Sequence, residues 1–287
     1  MTSPYDHPQK HNFDPDVADG FGREWTTFRQ RDSELSATQR EVIHRAYFGI
    51  FPWEQLPSGG GTGMDVGCGS GRWAKMVAPR VAHLHLIDVS SAALAVAREN
   101  LAGAENVSFI NASVGEIPLP DASQDFAYAL GVLHHVPDTE QAIAEIAKKL
   151  KPGAPFLIYL YYAFDNRPTW FRRMWLVANV FRLGIVRMPP PGRFLVSQMI
   201  AGCVYWPLAR LARILERMGL MPSSMPLSWY RNMSFYVMRT DAYDRFCTKI
   251  EKRFSKSQIE AMLLRANFRD VRFSNVEPYW CAIATRC

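Results

Sequence analysis

The chain has 287 residues, of which 48% are hydrophobic, with 33 Lys and Arg against 27 Asp and Glu. That apolar content excludes wholesale disorder and suffices for one large domain, or one and a half, at roughly 100–200 residues each. The longest charge-free run, Phe194–Ala209, contains Pro207 and has 16 residues, short of the ~20 that a spanning helix needs, so a transmembrane segment is not expected.

Residues 1–35 lack sustained periodicity, and the polar, acidic start carries no secretory pattern. They read as an arm. Ser36–Phe51 reads as a helix, with Ser36 as cap and Val42, Ile43, Tyr47 and Ile50 at helical spacing, stopped by Pro52. A glycine-rich linker then leads into a regular alternation. Met64–Val66, Ala82–Val89, Val107–Asn111, Asp125–Leu130 and Pro155–Tyr162 read as strands, and Gly71–Ala78, Ser90–Leu101 and Asp138–Leu150 as helices. Strand-helix alternation implies right-handed crossovers and a parallel sheet covered on both faces. After Ala163 the pattern breaks. It resumes with a Ser255/Gln258 capping box, a helix to about Ala266, and strands near Val271–Ser274 and Tyr279–Ala284 that must pair antiparallel.

Three segments follow: an arm and helix (1–57), a core (58–163 with 250–287), and a mainly helical insertion after the fifth strand (164–249). The insertion holds the chain's basic excess. Ala163–Leu220 carries nine arginines against Asp165 and Glu216, a balance of +7, so the rest of the chain carries −1. Trp170, Phe171, Trp175, Phe181, Phe194, Tyr205 and Trp206 are interleaved with those arginines. Such a mixture can contact anionic lipid, nucleic acid or an acidic partner. Five scattered cysteines without a CxxC argue against a disulfide framework or zinc site and suit a reducing cytoplasm, with peripheral membrane contact as an option for the insertion.

The central motif is Asp65-Val66-Gly67-Cys68-Gly69-Ser70-Gly71. It leaves a strand and opens a helix, and its glycines let a ligand approach the backbone closely. Asp88 ends the next strand, where a carboxylate can accept both hydroxyls of a ribose. Gly69, Gly71 and Ala74 also fit a dinucleotide fingerprint, so an NAD(P)-dependent oxidoreductase stands as an alternative. Asp65 opposes it, because that carboxylate would repel a pyrophosphate and suits a cationic amino group.

The run from Met64 to Tyr162 resembles a class I S-adenosylmethionine-dependent methyltransferase of the small-molecule, type 11 kind. Asp65–Gly71 is similar to its first motif and Ile87-Asp88-Val89-Ser90 to its ribose-binding acid. Ile117-Pro118-Leu119-Pro120-Asp121, Leu133-His134-His135-Val136-Pro137-Asp138 and Leu150-Lys151-Pro152-Gly153 fall where that family has such segments. Residues 253–287 resemble its closing helix and hairpin. The resemblance implies a Rossmann-like seven-stranded sheet with the last strand antiparallel, S-adenosylmethionine as cofactor, and a cofactor site of Asp65, Gly67, Cys68, Gly69, Gly71, Asp88, Val89, Ser113, Val114 and Leu130. Ser113 stands where the family often has an acid near the adenine amino group.

Methyl transfer needs nucleophile, methyl and sulfur in line, and well-oriented reactants gain up to about 7–11 kcal/mol. A hydroxyl nucleophile also needs a base. His134 and His135 follow the fourth strand at the edge where such sheets bind ligands, and an imidazole suits that task. Tyr161 and Tyr162 leave the fifth strand at the same edge. His134, His135 and Tyr161 are the catalytic candidates; Arg23, Trp25 and Tyr162 are the substrate-side candidates, with Phe28 as a further cover over the cofactor. His83 and His85 share a strand face but have no third ligand nearby, so no metal is expected.

No Asn/Asp-Pro-Pro-aromatic follows the fourth strand and no Pro-Cys occurs, which argues against a nucleobase acceptor and against nucleic acid as partner. The expected acceptor is a small molecule, amphipathic or glycan-linked, methylated on oxygen or nitrogen, with the insertion as its cap. A non-catalytic cofactor-binding module at a membrane or partner surface is the other alternative.

Overall fold

The structure is a computed structural model and describes residues 12–287 except 32, 35 and 221–224. It separates into two compact units. The first comprises residues up to Gln30, Glu41–Ala163 and Ile250–Cys287; the second comprises Arg31–Arg40 and Phe164–Lys249.

The first unit is built on seven strands: β1 (Thr62–Val66), β2 (His83–Asp88), β3 (Val107–Asn111), β4 (Phe126–Leu130), β5 (Pro155–Tyr159), β6 (Phe268–Phe273) and β7 (Ala282–Arg286). Their order is β3-β2-β1-β4-β5-β7-β6. β1 to β5 are parallel, and β7 runs antiparallel to both β5 and β6. The sheet expected from the sequence is therefore present, and its order reverses between β1 and β4. In open α/β sheets such a switch point opens a crevice at the carboxyl ends of the strands.

Alternation along the strands builds two cores. Met64, Val66, Ala127, Ala129, Phe156 and Ile158 face one side, against Ile143 and Ile146 of helix α5 (Thr139–Lys149) and Ile259 and Leu263 of α10 (Lys256–Arg265). Leu84, Leu86, Phe126, Tyr128, Leu157 and Tyr159 face the other. There they meet Phe48 of α2 (Ala37–Phe48), Val77 of α3 (Ala74–Val77), and Leu94 and Ala97 of α4 (Ser91–Asn100). Burial on both faces explains why β4 and β5 are unbroken apolar runs. The capping residues form as the sequence suggests: Ser90 accepts from Ala93 N, Asp138 from Gln141 N, and Ser255 and Gln258 close a reciprocal box.

Three sequence expectations need correction. Residues 15–27 are not irregular arm but a helix, α1 (Pro15–Thr27), whose N-cap Asp14 accepts from Asp16 and Val17 N–H and whose Pro15 occupies the first turn. Gly71–Ala78 is helical only from Ala74. The closing strands start at Phe268 and Ala282, because a register shift between Arg269 and Arg272 breaks the alternation that would mark the first of them.

The second unit is helical: α6 (Thr169–Ile185), α7 (Pro190–Ile200), a π-helical stretch (Ala201–Tyr205), α8 (Trp206–Arg217) and α9 (Phe235–Cys247). Ile185, Ala201, Tyr205, Ala209, Met238, Ala242 and Phe246 form its core. Pro207 cannot donate within a helix, and the wider turn immediately before α8 lets the chain continue past it. The helical run Pro190–Arg217 is therefore 28 residues long, enough by length and composition to cross a membrane. The 16-residue charge-free stretch understated it.

Candidate cofactor and acceptor site

The glycine loop follows β1 at the switch point. Gly67 has φ +74° and Gly69 φ +53°, both in the left-handed region that L side chains resist. A Cβ at Gly67 would collide with the Val132 side chain, and one at Gly69 would lie 2.8 Å from the Trp25 indole. The loop is tied to the end of β2 twice: Gly67 N–H and Cys68 N–H both donate to Ile87 O. Cys68 is buried, and burial, followed by Asp88 and Asp65, pushes its thiol up.

Asp88 organises the loop from the side. Its Oδ2 accepts from Gly69 N–H at 2.9 Å and its Oδ1 from Ser90 N–H at 2.8 Å. Burial raises its pKa, and these two bonds oppose the rise. Each carboxylate oxygen still has a lone pair for a ligand hydroxyl. The Asp88 and Val89 carbonyls both accept from Asn111 Nδ2, which fixes the backbone beyond the acid. Asn111 carried no signal in the sequence beyond its place at the end of β3.

Asp65 lies on β1, in register with Tyr128 of β4. It is 1% exposed, and neither carboxylate oxygen has a hydrogen-bond partner. Burial pushes its pKa up to about 8; the Tyr128 hydroxyl opposes this, Asp88 adds to it and Arg72 relieves it. Ser113 repeats the pattern, since its Oγ is buried without a partner. Val114 beside it and Leu130 at the end of β4 are buried, and Val89 is half-buried. Unpartnered buried polar atoms are costly. A ligand with a cationic amino group at Asp65 and a donor at Ser113 would satisfy both.

The N-terminal helix runs beside this loop. Asn12 exchanges two hydrogen bonds with the Asp138 backbone, Gly22 lies against Ser90, and Asn100 Nδ2 donates to both Arg29 O and Ser70 O. Trp25 thereby sits on Gly69, with Arg72 over its ring at 5.9 Å. Phe28 is buried in the packing rather than open to a ligand. Arg23 is two positions from Trp25, about 200° around the helix, and its Nη1 pairs with Asp19 at 3.1 Å. The structure separates these two candidates, placing only Trp25 on the loop.

At the ends of β4 and β5 both histidines are buried, but their ring nitrogens differ. His134 stacks on Tyr161 at 3.8 Å and has no hydrogen-bond partner on either ring nitrogen. Burial, then His135 and Arg253, drives its pKa well below the usual imidazole value. His135 Nδ1 meets the Ile250 carbonyl at 2.6 Å. A carbonyl only accepts, so Nδ1 carries the proton and Nε2 is the basic nitrogen. Phe21 of α1 packs edge-on against that ring at 5.0 Å. Tyr162 turns away from this group and packs on Tyr279 at 5.6 Å. His83 and His85 both bond Ser108 Oγ. Among the described residues no cluster of three His, Cys, Asp or Glu is placed to hold a metal ion.

Residues 64–158 match the family model described as a methyltransferase domain. Two similar proteins are phosphoethanolamine N-methyltransferase 2 of Caenorhabditis elegans, 38% identical over 36% of this chain and 24% of that protein, and the ubiquinone/menaquinone biosynthesis C-methyltransferase UbiE of Brucella anthropi, 36% identical over 34% and 40%. The chain thus spans well under half the length of these relatives. The crystal structure of a SAM-dependent methyltransferase, possible histamine N-methyltransferase, from Thermotoga maritima shares the fold, with a TM-score of 0.50 at 14% identity over 94% of this chain and 100% of that one. In this chain the glycine loop after β1, the acid at the end of β2 and the sheet order agree with the family match: residues 64–158 are a class I S-adenosylmethionine-dependent methyltransferase domain.

Proposed function

We propose that the whole chain transfers a methyl group from S-adenosylmethionine to an oxygen or nitrogen of a small amphipathic or glycan-linked acceptor. The observation that carries the reading is Asp65: a buried carboxyl group without a partner, beside a glycine loop, suits a cationic amino group and would repel a pyrophosphate. That favours S-adenosylmethionine over a nicotinamide dinucleotide.

When bound, the cofactor supplies an electrophilic methyl on a sulfonium. Asp65 would hold its amino group, Asp88 its ribose hydroxyls, and Ser113 its adenine side. Gly67 and Gly69 keep the loop free of side chains, and Trp25 covers it. Because a neutral thioether leaves, the protein's main task is alignment. His135 is the better placed base, with its proton held on Nδ1 and Nε2 left as acceptor. His134, buried and neutral, serves as a positioning residue under Tyr161. The two relatives' names assign nitrogen and carbon; a fixed basic nitrogen supports a protic acceptor, whose proton must leave.

We further propose that residues 164–249 choose the acceptor. The support is connectivity. Ala163 N–H donates to Phe254 O, Phe254 N–H to Tyr161 O, and Lys252 N–H to His134 O, so the insertion's two stems are bonded to one another and to the histidine turn.

Calorimetry with S-adenosylhomocysteine and with NADH tests the cofactor, and incubation of cell extract with methyl-labelled cofactor tests the activity. Tight binding of the first ligand alone, with label entering a small amphipathic product, is the expected result. NADH binding would overturn the reading. Tight cofactor binding with no labelled product would leave the domain as a non-catalytic module.

A further inference from the structure

Helix α6 is amphipathic in the opposite sense to a water-facing helix. Trp170, Met174, Val177 and Phe181 succeed one another at offsets of four, three and four, which is one stripe of an α-helix. All four are exposed, Phe181 by 68%, while Arg182 on the other side is buried and donates to Thr248 O. The run from Pro190 to Arg217 repeats the arrangement. Val204, Leu211, Ile214 and Met218 follow one line and are exposed. Its buried face is mostly small: Ser197, Ala201, Ala209 and Ala212, with Tyr205 the one large side chain among the buried residues of these helices. Large apolar side chains turned outward along both runs reverse the rule for soluble surface helices and match helices that face lipid. The pattern is local. Of the twenty large hydrophobic side chains exposed among the described residues, sixteen lie between Trp170 and Leu220.

Charge identifies what covers this surface. The same stretch carries eight arginines, no lysine, and only one acid, Glu216. Arg172, Arg173, Arg187 and Arg217 are exposed near the ends of the stripes. Trp170 and Trp206 are exposed beside them, as interfacial tryptophans are. Apolar stripes bordered by arginine and tryptophan fit anionic headgroups over hydrocarbon. They do not fit a purely apolar protein surface, which would leave the guanidinium groups unanswered. Helix α9, which supplies Met238, Ala242 and Phe246 to the same core, also carries Arg239, Asp241, Asp244 and Arg245. Those charges belong in water, so the run lies in the membrane interface instead of crossing it.

We infer that the helical unit is a monotopic anchor, binding the surface of an anionic phospholipid bilayer through the exposed stripes of α6 and of the α7–α8 run. The inference concerns the surface of this unit alone and does not rest on the methyl-transfer reading.

The test is co-sedimentation of the full chain with phosphatidylcholine vesicles, with and without added phosphatidylglycerol. Binding to the anionic vesicles should exceed binding to the neutral ones by at least about tenfold, and should weaken as salt shortens the screening length from ~10 Å at 0.1 M to ~3 Å at 1 M. Val177→Glu with Phe181→Glu, and separately Leu211→Glu with Ile214→Glu, should each lower that binding while leaving the thermal melt of the protein in place, because both pairs replace exposed side chains. Arg172→Gln with Arg173→Gln should remove part of the salt-dependent share. Failure of the wild type to sediment with either vesicle, or binding indifferent to salt and to all three variants, would overturn the inference. So would a dimer that the glutamate variants dissociate while the wild type ignores vesicles, since a second copy would then be what covers the stripes.

Discussion

The backbone N–H of Gly69 donates to Asp88 Oδ2 at 2.9 Å, so the glycine loop and the acid at the end of β2 are a single hydrogen-bonded piece. Under the proposed function Asp88 has two tasks, one toward the ligand and one toward the loop.

Removing it should show both. Asp88→Ala should weaken S-adenosylhomocysteine by roughly 1–3 kcal/mol through lost charge-assisted hydrogen bonds. Asp88→Asn, which keeps one acceptor for Gly69 or Ser90, should lose less. Calorimetry measures both, and unchanged affinity in a folded alanine variant would remove the ribose assignment.

Asp65 predicts a pH dependence with a definite sign. Its folded pKa is about 8, against roughly 4 in the unfolded chain. Between those values the folded state holds a proton that the unfolded state has lost, so stability is fully present below the lower value and falls as pH rises through the upper one. The Tm of cofactor-free protein should decline from about pH 5 to pH 8 by this contribution. Asp65→Asn should flatten that decline and raise Tm at pH 8, yet bind S-adenosylhomocysteine more weakly. A variant that melts lower than wild type at pH 8 would contradict the burial argument.

The two histidines should separate in kinetics. His135→Gln should lower kcat by about 10²–10⁴ with cofactor affinity kept, as loss of a general base does. His134→Phe keeps a ring against Tyr161 and should lower kcat far less. Falls under threefold in both would leave alignment as the only catalytic device.

Gly67 and Gly69 should fail differently. Gly67→Ala drives a methyl into Val132, and overpacking of this kind destabilises by about 1–3 kcal/mol, visible as a lower denaturant midpoint. Gly69→Ala meets the Trp25 ring first. Its loss of cofactor binding should be partly restored by Trp25→Ala. No restoration in the double variant would place the obstruction in the backbone at φ +53°.

The sheet was legible because each helix and strand of residues 64–162 is bounded by a cap, a glycine or a proline, and because buried parallel strands read as apolar runs. Helix α1 was missed although its Asp14-Pro15 start was visible: Gly20 and Gly22 interrupt its pattern, and Gly22 is there for the close approach of Ser90. Asp65 and Asp88 could be found from spacing. That neither Asp65 oxygen makes a hydrogen bond could not, since it depends on what β4 places opposite it. Neighbours in sequence, His134 and His135 look equivalent, and both are buried; the Ile250 carbonyl, 115 residues away, makes them different.

The bonded stems at Tyr161–Ala163 and Phe254 also bear on how the chain can fold. The sheet needs only that these two points meet. Closing a loop the length of Phe164–Lys249 in place of a tight turn adds a chain-entropy penalty of about 3 kcal/mol, because that penalty grows only with the logarithm of length. The helical unit has its own core to set against this sum. The seven strands can therefore keep their register while everything between the stems is lengthened, shortened or exchanged, so whatever the inserted helices bind can change in evolution without disturbing the sheet.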